Sequence, residues 1–209
     1  MPDSAVLTAF VVVVLGLFVI PGPAVLLVFA RTGQGGRKIG VMTGLGIATG
    51  DLVHTMFAAV GLSAVLLTSA LAFNVVKLAG AGYLIYLGVR AMLAKPSGDS
   101  ALPRVALVTP SRAFFQAIVV EVLNPKTALF FLAFLPQFVQ PERGSTFTQF
   151  AVLGLVFVAM SVVYSTLLAL SVQPLGHLFK RLAWLSRWQG KIIGAIFITL
   201  GLKVAFQEH

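Results

Sequence analysis

The sequence predicts an all-α integral membrane protein with six transmembrane helices, arranged as two inverted three-helix repeats. The composition and the spacing of the apolar stretches predict this class. Of the 209 residues, 58% are hydrophobic and only 10% are charged, whereas soluble domains are about 45–50% apolar and about 25% charged. So much apolar surface requires lipid as its solvent, which excludes most soluble enzyme folds. The absence of cysteine excludes disulfides, thiol nucleophiles and thiolate metal sites.

A stretch of about 20 mostly apolar residues is long enough to cross the hydrocarbon core of a bilayer. Such stretches lie at roughly 4–30, 39–70, 74–93, 113–139, 147–172 and 190–206. They form one predicted transporter domain over residues 1–209. Its first repeat covers about 1–93, a polar loop covers 94–112, and the second repeat covers about 113–209.

Basic residues are distributed unevenly between the loops. Alternate loops carry eleven Lys and Arg residues on one side and three on the other. Because an excess of Lys and Arg marks the cytoplasmic side, loop 94–112 is predicted to be cytoplasmic and both termini periplasmic. The net charge of +9 is therefore interpreted as charge that orients the protein, and no nucleic-acid partner is expected.

The two halves of the chain resemble each other weakly. Residues 77–90 and 191–203 share, with one gap, an initial Lys, glycines, an aromatic residue and a basic end. Near the start of each half a proline-containing break precedes an apolar run, at Pro21–Pro23 and at Asn124–Pro125. Repeats of three spans must be inverted relative to each other, and inverted repeats with broken helices are typical of secondary transporters. Chance similarity between glycine-rich apolar helices is the alternative.

Two acids and one base are predicted to lie near the middle of the membrane. Counted from the cytoplasmic basic residues at about 1.5 Å per residue, Glu121 lies about 14 Å deep, and Asp51 and Lys126 about 20 Å. The hydrocarbon core is about 30 Å thick. Charged groups at this depth face protein or water and mark functional sites.

The helix breaks give these charges a chemical use. Their prolines remove backbone donors, so new half-helices are predicted to begin near residues 23 and 125. Half-helix N-termini favour an anion, and Lys126 adds a full positive charge, while Asp51 and Glu121 supply the opposite sign. The constellation fits a zwitterion. Plain proline kinks, and a buried structural ion pair of Lys126 with Glu121 or Asp51, are the alternatives.

A proton-coupled carrier needs a titratable group that is reached alternately from each side of the membrane. Asp51 is our first choice, because protonation and binding of a substrate ammonium would compete at one carboxyl. Glu121 is the rival. His54 is a third candidate because histidine titrates near neutral pH, with a merely structural hydrogen bond as the alternative. The second span also contains glycines whose Gly-x-x-x-Gly spacings let helices approach closely: Gly40, Gly44, Gly46 and Gly50.

Three segments carry a wider pattern: Pro21-Gly22-Pro23, the stretch 46–51, and the segment 122–138, in which Asn-Pro-Lys precedes Phe-Leu-Pro-Gln-Phe. Together they resemble the lysine-exporter (LysE-type) family, in its homoserine/threonine-resistance branch. The resemblance covers nearly the whole chain. It implies a multi-pass protein of the bacterial inner membrane that exports neutral, homoserine-, threonine- or leucine-like amino acids, or close derivatives, by proton antiport. At matching positions it places Asp51, Asn124, Pro125 and Lys126 at the centre of the site.

The residues and the resemblance together define the expected site. The candidate substrate-binding residues are Pro21, Gly22, Pro23, Asp51, Glu121, Asn124, Pro125 and Lys126. No catalytic motif occurs, so we predict no enzyme and expect no cofactor and no metal. The expected partners are an amino-acid substrate, a coupling proton and membrane lipid. The small residues Gly80, Ala81 and Gly82 permit a homodimer interface without requiring one.

Two other classes of function stay open. A metal-ion exporter of a related membrane fold would use Asp51, His54 and Glu121 as ligands, but the chain has no cysteine and only one histidine in a predicted span. A non-transporting membrane scaffold would leave the charges at the midplane unexplained.

Overall fold

A computed structural model describes residues 2–19, 22–68, 70–93 and 107–181, together with six positions between 191 and 202. Within these residues every regular element is helical, which confirms the predicted all-α class. The α-helices are α1 (Ser4–Val19), α2 (Pro23–Phe57), α3 (Ser63–Thr68), α4 (Ala70–Leu93), α5 (Pro110–Val122), α6 (Pro125–Leu129) and α7 (Thr146–Arg181). Ala58–Leu62 and Phe130–Phe134 form π-helical turns, and Leu135–Phe138 and Pro141–Arg143 form 3₁₀ turns.

The first predicted helix break lies between α1 and α2. α1 ends at Val19 and α2 begins at Pro23. Gly22 precedes Pro23 in an extended conformation, with φ −113° and ψ −177°, and provides no side-chain cap. A proline at the first helical position costs no helical hydrogen bond, because that N–H would have no acceptor in the helix. The half-helix start predicted near residue 23 is confirmed, while Pro21 lies outside the described residues.

α2 turns back on itself at Gly36. This residue has φ +81° and ψ 177°, a positive-φ conformation that glycine adopts without a steric penalty. Thr32 and Gly40 lie so close across the turn that a Cβ atom on Gly40 would overlap the Thr32 side chain. In a straight helix these residues would be about 12 Å apart. The arms 23–35 and 37–57 therefore run side by side. The connection between the predicted spans 4–30 and 39–70 is thus a turn at one glycine.

The second predicted break lies between α5 and α6. The helical segments Pro110–Val122 and Pro125–Phe138 are bent by 46° relative to each other. Asn124 precedes α6, and its side-chain oxygen accepts a hydrogen bond of 3.1 Å from the backbone N–H of Lys126. The half-helix start predicted near residue 125 is confirmed.

Glycines bring α2 close to α5 and α7. A Cβ atom on Gly44 would overlap the side chain of Ser165 in α7, and one on Gly46 would overlap the carbonyl oxygen of Phe114 in α5. These contacts agree with the close approach predicted from the glycine spacing. Because α2 packs against both helices, its residue Asp51 lies inside the bundle.

The buried apolar residues form two clusters of different character. The larger cluster is rich in phenylalanine and includes Phe10, Phe18, Phe130, Phe131, Phe134, Phe150 and Phe157. The smaller cluster consists of Ala24, Val28, Ile47, Ala117 and Ala169. Residues of both clusters line the cavity that contains the candidate site.

The described helices are compatible with a multi-pass membrane protein. By length and composition, two helical runs could cross a membrane: Pro23–Val65, within which the chain turns at Gly36, and Thr146–Val172. The bent pair that contains α5 and α6 makes a third if it counts as one span. The predicted sixth span, 190–206, falls mostly outside the described residues. Gly194, a described residue of this span, lies close to Gly88 of α4. A Cβ atom on Gly88 would be 2.7 Å from the Gly194 carbonyl oxygen. Six spans and inverted symmetry stay predictions.

Candidate substrate-binding site

A cavity of about 40 Å³ lies beside the two helix breaks. Its polar lining consists of Asp51, Glu121, Asn124, Lys126, Thr127, Ser161, Tyr164 and Ser165. Its apolar lining consists of Leu17, Phe18, Ala24, Val25, Val28, Ile47, Phe157 and Leu168. The structure thus brings together the two acids and the lysine that the sequence placed at similar depth, with the amide of Asn124 beside them.

Asp51 is a buried carboxyl with unused hydrogen-bonding capacity. Its side chain is only 2% exposed, and its Oδ2 atom has no hydrogen-bond partner among the described residues. Ser161 and Glu121 are its polar neighbours, and Lys126 lies within electrostatic range. A buried polar atom without a partner is costly, so Oδ2 is an acceptor available to a bound cation or to a proton.

Asn124 connects Glu121 to the start of α6. Its Nδ2 atom donates to both carboxylate oxygens of Glu121, at 3.2 and 3.1 Å, and lies 3.2 Å from the hydroxyl of Thr127. Its Oδ1 atom caps α6 by accepting from the Lys126 backbone N–H. Both Glu121 and Asn124 are 2% exposed. The amide of Asn124 is therefore engaged within the protein on both its donor and its acceptor side, which favours a positioning role.

Lys126 reaches across to the first helix break. Its Nζ atom donates to the backbone oxygen of Leu17 at 3.2 Å. The last four carbonyl groups of a helix accept no hydrogen bond within that helix. The carbonyl of Leu17 is one of these four in α1. The lysine also passes Gly22, where a Cβ atom would lie 3.3 Å from both Cε and Nζ. A cation at this position interacts favourably with the negative end of the α1 dipole.

Among the described residues, the ion pair of Lys126 with Glu121 or Asp51, which was the alternative interpretation, is not formed. Between residues that the structure describes, the ion pair is Arg143 with Asp3, whose N–O distance is 2.9 Å. Both acids nevertheless lie within electrostatic range of Lys126. The cavity thus has positive charge toward the first break and negative charge toward α5 and the second arm of α2.

The two half-helix starts differ in their availability to an anion. Ala24 and Val25, in the first turn of α2, line the cavity, and the N–H groups of a first turn have no acceptor in the helix. At α6 the N–H of Lys126 is already bonded to Asn124. Pro23 and Pro125 have exposed side chains, so they shape the breaks and do not line the cavity.

His54 contacts the backbone of Glu121. Its Nε2 atom is 3.0 Å from the backbone oxygen of Glu121, and because a carbonyl can only accept, this nitrogen carries the proton. Its ring stacks on Phe131 with a centroid distance of 5.7 Å. Within the described residues Asp51, His54 and Glu121 do not form a group that could hold a metal ion. Proton relay by His54 stays a prediction.

Sequence reasoning missed the part that the end of α1 plays in the site. Phe18 lines the cavity and stacks on Tyr164, with a centroid distance of 5.1 Å and an interplanar angle of 23°. Its ring also meets Phe157 edge-on at 5.3 Å and 69°. In an apolar span one phenylalanine has no pattern that distinguishes it from the others. Only its position, directly before a predicted break, was a usable signal.

The described residues are helical, with helices apolar enough to span a membrane, two helix breaks and buried charged groups beside them. This is the architecture of a membrane transporter. The profile of the LysE type translocator family matches residues 15–208. The chain belongs to this family of translocators.

Individual relatives cover nearly the whole chain. An uncharacterized membrane protein of Pseudomonas aeruginosa is 32% identical over 202 residues, which is 94% of this chain and 93% of the relative. The uncharacterized membrane protein YrhP of Bacillus subtilis is 31% identical over 205 residues, covering 94% and 97%. The leucine efflux protein of Salmonella typhimurium is 26% identical over 189 residues, covering 90% and 89%. No solved structure is a significant match.

Proposed function

We propose that the protein exports neutral amino acids of homoserine, threonine or leucine type across the bacterial inner membrane, in exchange for protons. Family membership and a relative named as a leucine efflux protein support amino-acid export. The observation that carries the proposal is the charge arrangement of the cavity, which has Lys126 on one side and the unpartnered Oδ2 of Asp51 on another.

The substrate carboxylate binds at the first helix break. Lys126 supplies an ammonium group there, and charge-assisted hydrogen bonds to carboxylates are about twice as strong as neutral ones. The first turn of α2 adds N–H donors and the positive end of a helix dipole at Ala24 and Val25. Gly22 leaves room for the lysine at this point, since its missing Cβ atom would press against Nζ.

The substrate ammonium binds to Asp51, and its side chain contacts the apolar wall. Asp51 Oδ2 has no partner among the described residues, so an ammonium there would satisfy a buried acceptor. Val28, Ile47 and Leu168 line the cavity beside it. This wall offers no charged partner to a substrate side chain, which favours neutral amino acids over acidic or basic ones.

Asp51 is the proposed proton-coupling residue. Of the three candidates, Glu121 is held through both carboxylate oxygens by Asn124, and His54 is bonded to a carbonyl. Both Asp51 and Glu121 line the cavity, but Asp51 is the one that keeps an oxygen without a partner among the described residues. Because a proton and a substrate ammonium compete for this oxygen, loading one displaces the other, as an antiporter requires.

The substrate range is tested by counterflow in proteoliposomes. Purified protein is reconstituted into liposomes loaded with one unlabelled amino acid, and entry of labelled leucine is followed. Homoserine, threonine and leucine should drive entry, whereas lysine and glutamate should not. Entry with no amino-acid preference, or entry of divalent metal ions in place of amino acids, would contradict the proposal.

The membrane orientation is tested by fusions to the C-terminus. The excess of basic residues in loops predicted to be cytoplasmic implies periplasmic termini. An alkaline phosphatase fusion should therefore be active, and a fluorescent-protein fusion should be dark. The opposite result would require an odd number of spans or a reversed orientation.

A further inference from the structure

The end of α1 forms one wall of the cavity and is fastened by aromatic contacts. Leu17 and Phe18 line the cavity and are buried. Phe18 lies against Tyr164 and Phe157 of α7 at centroid distances of 5.1 and 5.3 Å. Stacked and edge-on pairs at these distances attract each other. Phe18 therefore holds the end of α1 against α7.

In this arrangement the cavity is too small for an amino acid. Its volume of about 40 Å³ holds a few water molecules, since one water needs about 10–15 Å³ on this measure. Sites that hold small molecules have volumes of about 300–1,000 Å³. A wall must therefore move for the cavity to hold a substrate.

Lys126 is attached to this wall. Its ammonium group donates to the backbone oxygen of Leu17, the residue directly before Phe18. The aliphatic part of the lysine passes Gly22 on the other side of the break, at 3.3 Å from the position of a Cβ atom there. The Lys126 side chain thus holds the end of α1 in place next to Phe18, which forms part of the cavity wall.

We infer that Lys126 makes passage conditional on a carboxylate. An ammonium group has three N–H donors, so the effect requires that a carboxylate bound at the first turn of α2 draws the ammonium away from the Leu17 carbonyl. The inference rests on the proposed function, which brings that carboxylate to Lys126. Two ionised partners form a stronger hydrogen bond than an ammonium with a neutral carbonyl. When the carboxylate takes Lys126, the end of α1 is released, and Phe18 leaves Tyr164 and Phe157. A compound with an ammonium but no carboxylate does not draw Lys126 away from Leu17, so it does not stabilise the open arrangement.

The natural chain contains no cysteine, so one introduced thiol reports the opening. Val14 is 0% exposed and precedes Phe18 by one turn of α1. The full-length Val14→Cys protein in lipid nanodiscs is labelled with a membrane-impermeant maleimide. L-Leucine should raise the labelling rate severalfold, and L-leucinamide, which has the same side chain but no carboxylate, should not. Adding Lys126→Gln should raise the rate without ligand to the leucine-induced level and abolish the response to leucine.

Gly22 at the first break and Gly16 in α1 give a matched pair of substitutions that keep a lysine at position 126. Gly22→Ala puts a methyl group against the lysine, so it should raise the labelling rate without ligand. Gly16→Ala, on α1, puts the same group where nothing lies within 4 Å and should leave the rate unchanged. This pair tests the inference even if Lys126→Gln fails to fold.

The outcomes separate the inference from the proposed function. If leucine binds in equilibrium dialysis but labelling does not change, the inference is wrong and the proposed function stands. If leucine does not bind, the substrate assignment is wrong. The rates without ligand then decide the inference, because equal rates for Val14→Cys alone, with Lys126→Gln and with Gly22→Ala would overturn it.

Discussion

The two helix breaks begin their half-helices with the same residue type but satisfy their backbone groups differently. At the second break Asn124 acts locally, since it caps α6 and holds both carboxylate oxygens of Glu121. At the first break Gly22 has no side chain that could cap α2. The Leu17 carbonyl there takes a partner from 109 residues away, the ammonium of Lys126.

The difference indicates which part of the site is fixed. A break that is closed by its own neighbours keeps its geometry when a ligand arrives. A break that depends on a distant cation changes when a ligand with higher affinity takes that cation, because a ligand shifts a conformational equilibrium by its differential affinity. We therefore expect α5 and α6 to be the stable wall of the cavity, and the end of α1 to be the wall that moves.

Removal of Lys126 should have the largest effect, because this residue serves both breaks. A hydrogen bond to a charged group contributes about 1.5–3 kcal/mol, and about 1.4 kcal/mol corresponds to a factor of ten. Leucine transport by Lys126→Ala should thus fall by about 10- to 150-fold. Lys126→Arg should also be poor, because the planar guanidinium is larger than the ammonium it replaces.

Initial rates in proteoliposomes, corrected with protein-free liposomes, measure this effect. The rate for leucinamide should fall less than that for leucine, because leucinamide has no carboxylate to lose its partner. Equal loss for both compounds, together with lower thermal stability, would favour a purely structural role for Lys126.

Asn124→Ala should have the next largest effect, mainly on stability. It removes a helix cap, which contributes about 1 kcal/mol. It also leaves the buried carboxylate of Glu121 without the amide that holds it, which costs about 1–3 kcal/mol more. Thr109→Ala is the matched control, because Thr109 also caps a helix, by accepting from the Arg112 backbone N–H at 3.4 Å, but at an exposed position.

Thermal unfolding of the detergent-solubilised protein compares the two variants. The midpoint should fall several degrees further for Asn124→Ala than for Thr109→Ala. Similar midpoints would mean that the second break does not depend on Asn124, and the contrast between the breaks would be lost.

A smaller effect is expected where α2 packs against the second break. A Cβ atom on Gly50 would lie 2.6 Å from Cβ of Glu121, and such overpacking costs about 1–3 kcal/mol. Gly50→Ala should therefore lower the unfolding midpoint. Gly61→Ala adds the same methyl group where nothing lies within 4 Å, and it should have little effect. If Gly50→Ala were as stable as wild type, α5 would shift at little cost in free energy and would not be the rigid side of the cavity.

Both breaks could be predicted from the sequence, because proline interrupts a helix wherever it occurs in the interior. The grouping of Asp51, Glu121 and Lys126 was also predictable, since charged residues in apolar spans must face protein or water. The turn at Gly36 was predicted only as a loop. Its neighbours Gly33 and Gly35 look equivalent in sequence, and only the backbone conformation shows which glycine needs a positive φ.

The partner of Lys126 could not be predicted. Every residue has a backbone carbonyl, so no sequence pattern marks the one at Leu17 as an acceptor. The sequence showed only Glu121 and Asp51 as candidate partners of Lys126, and an ion pair with one of them was therefore the alternative interpretation. Its actual bond depends on the position of the α1 end relative to α6, which is a property of the fold.

Transport against a gradient by Asp51→Asn is the most direct test of proton-coupled export. Wild-type proteoliposomes should accumulate leucine above the external concentration when a pH difference is imposed across the membrane. Asp51→Asn keeps the shape of the side chain and removes its titration. At a raised leucine concentration it should still exchange leucine but reach only equal concentrations on both sides. If Asp51→Asn accumulates leucine as wild type does, Asp51 is not the coupling residue and the proposed competition between proton and substrate at this carboxyl is wrong.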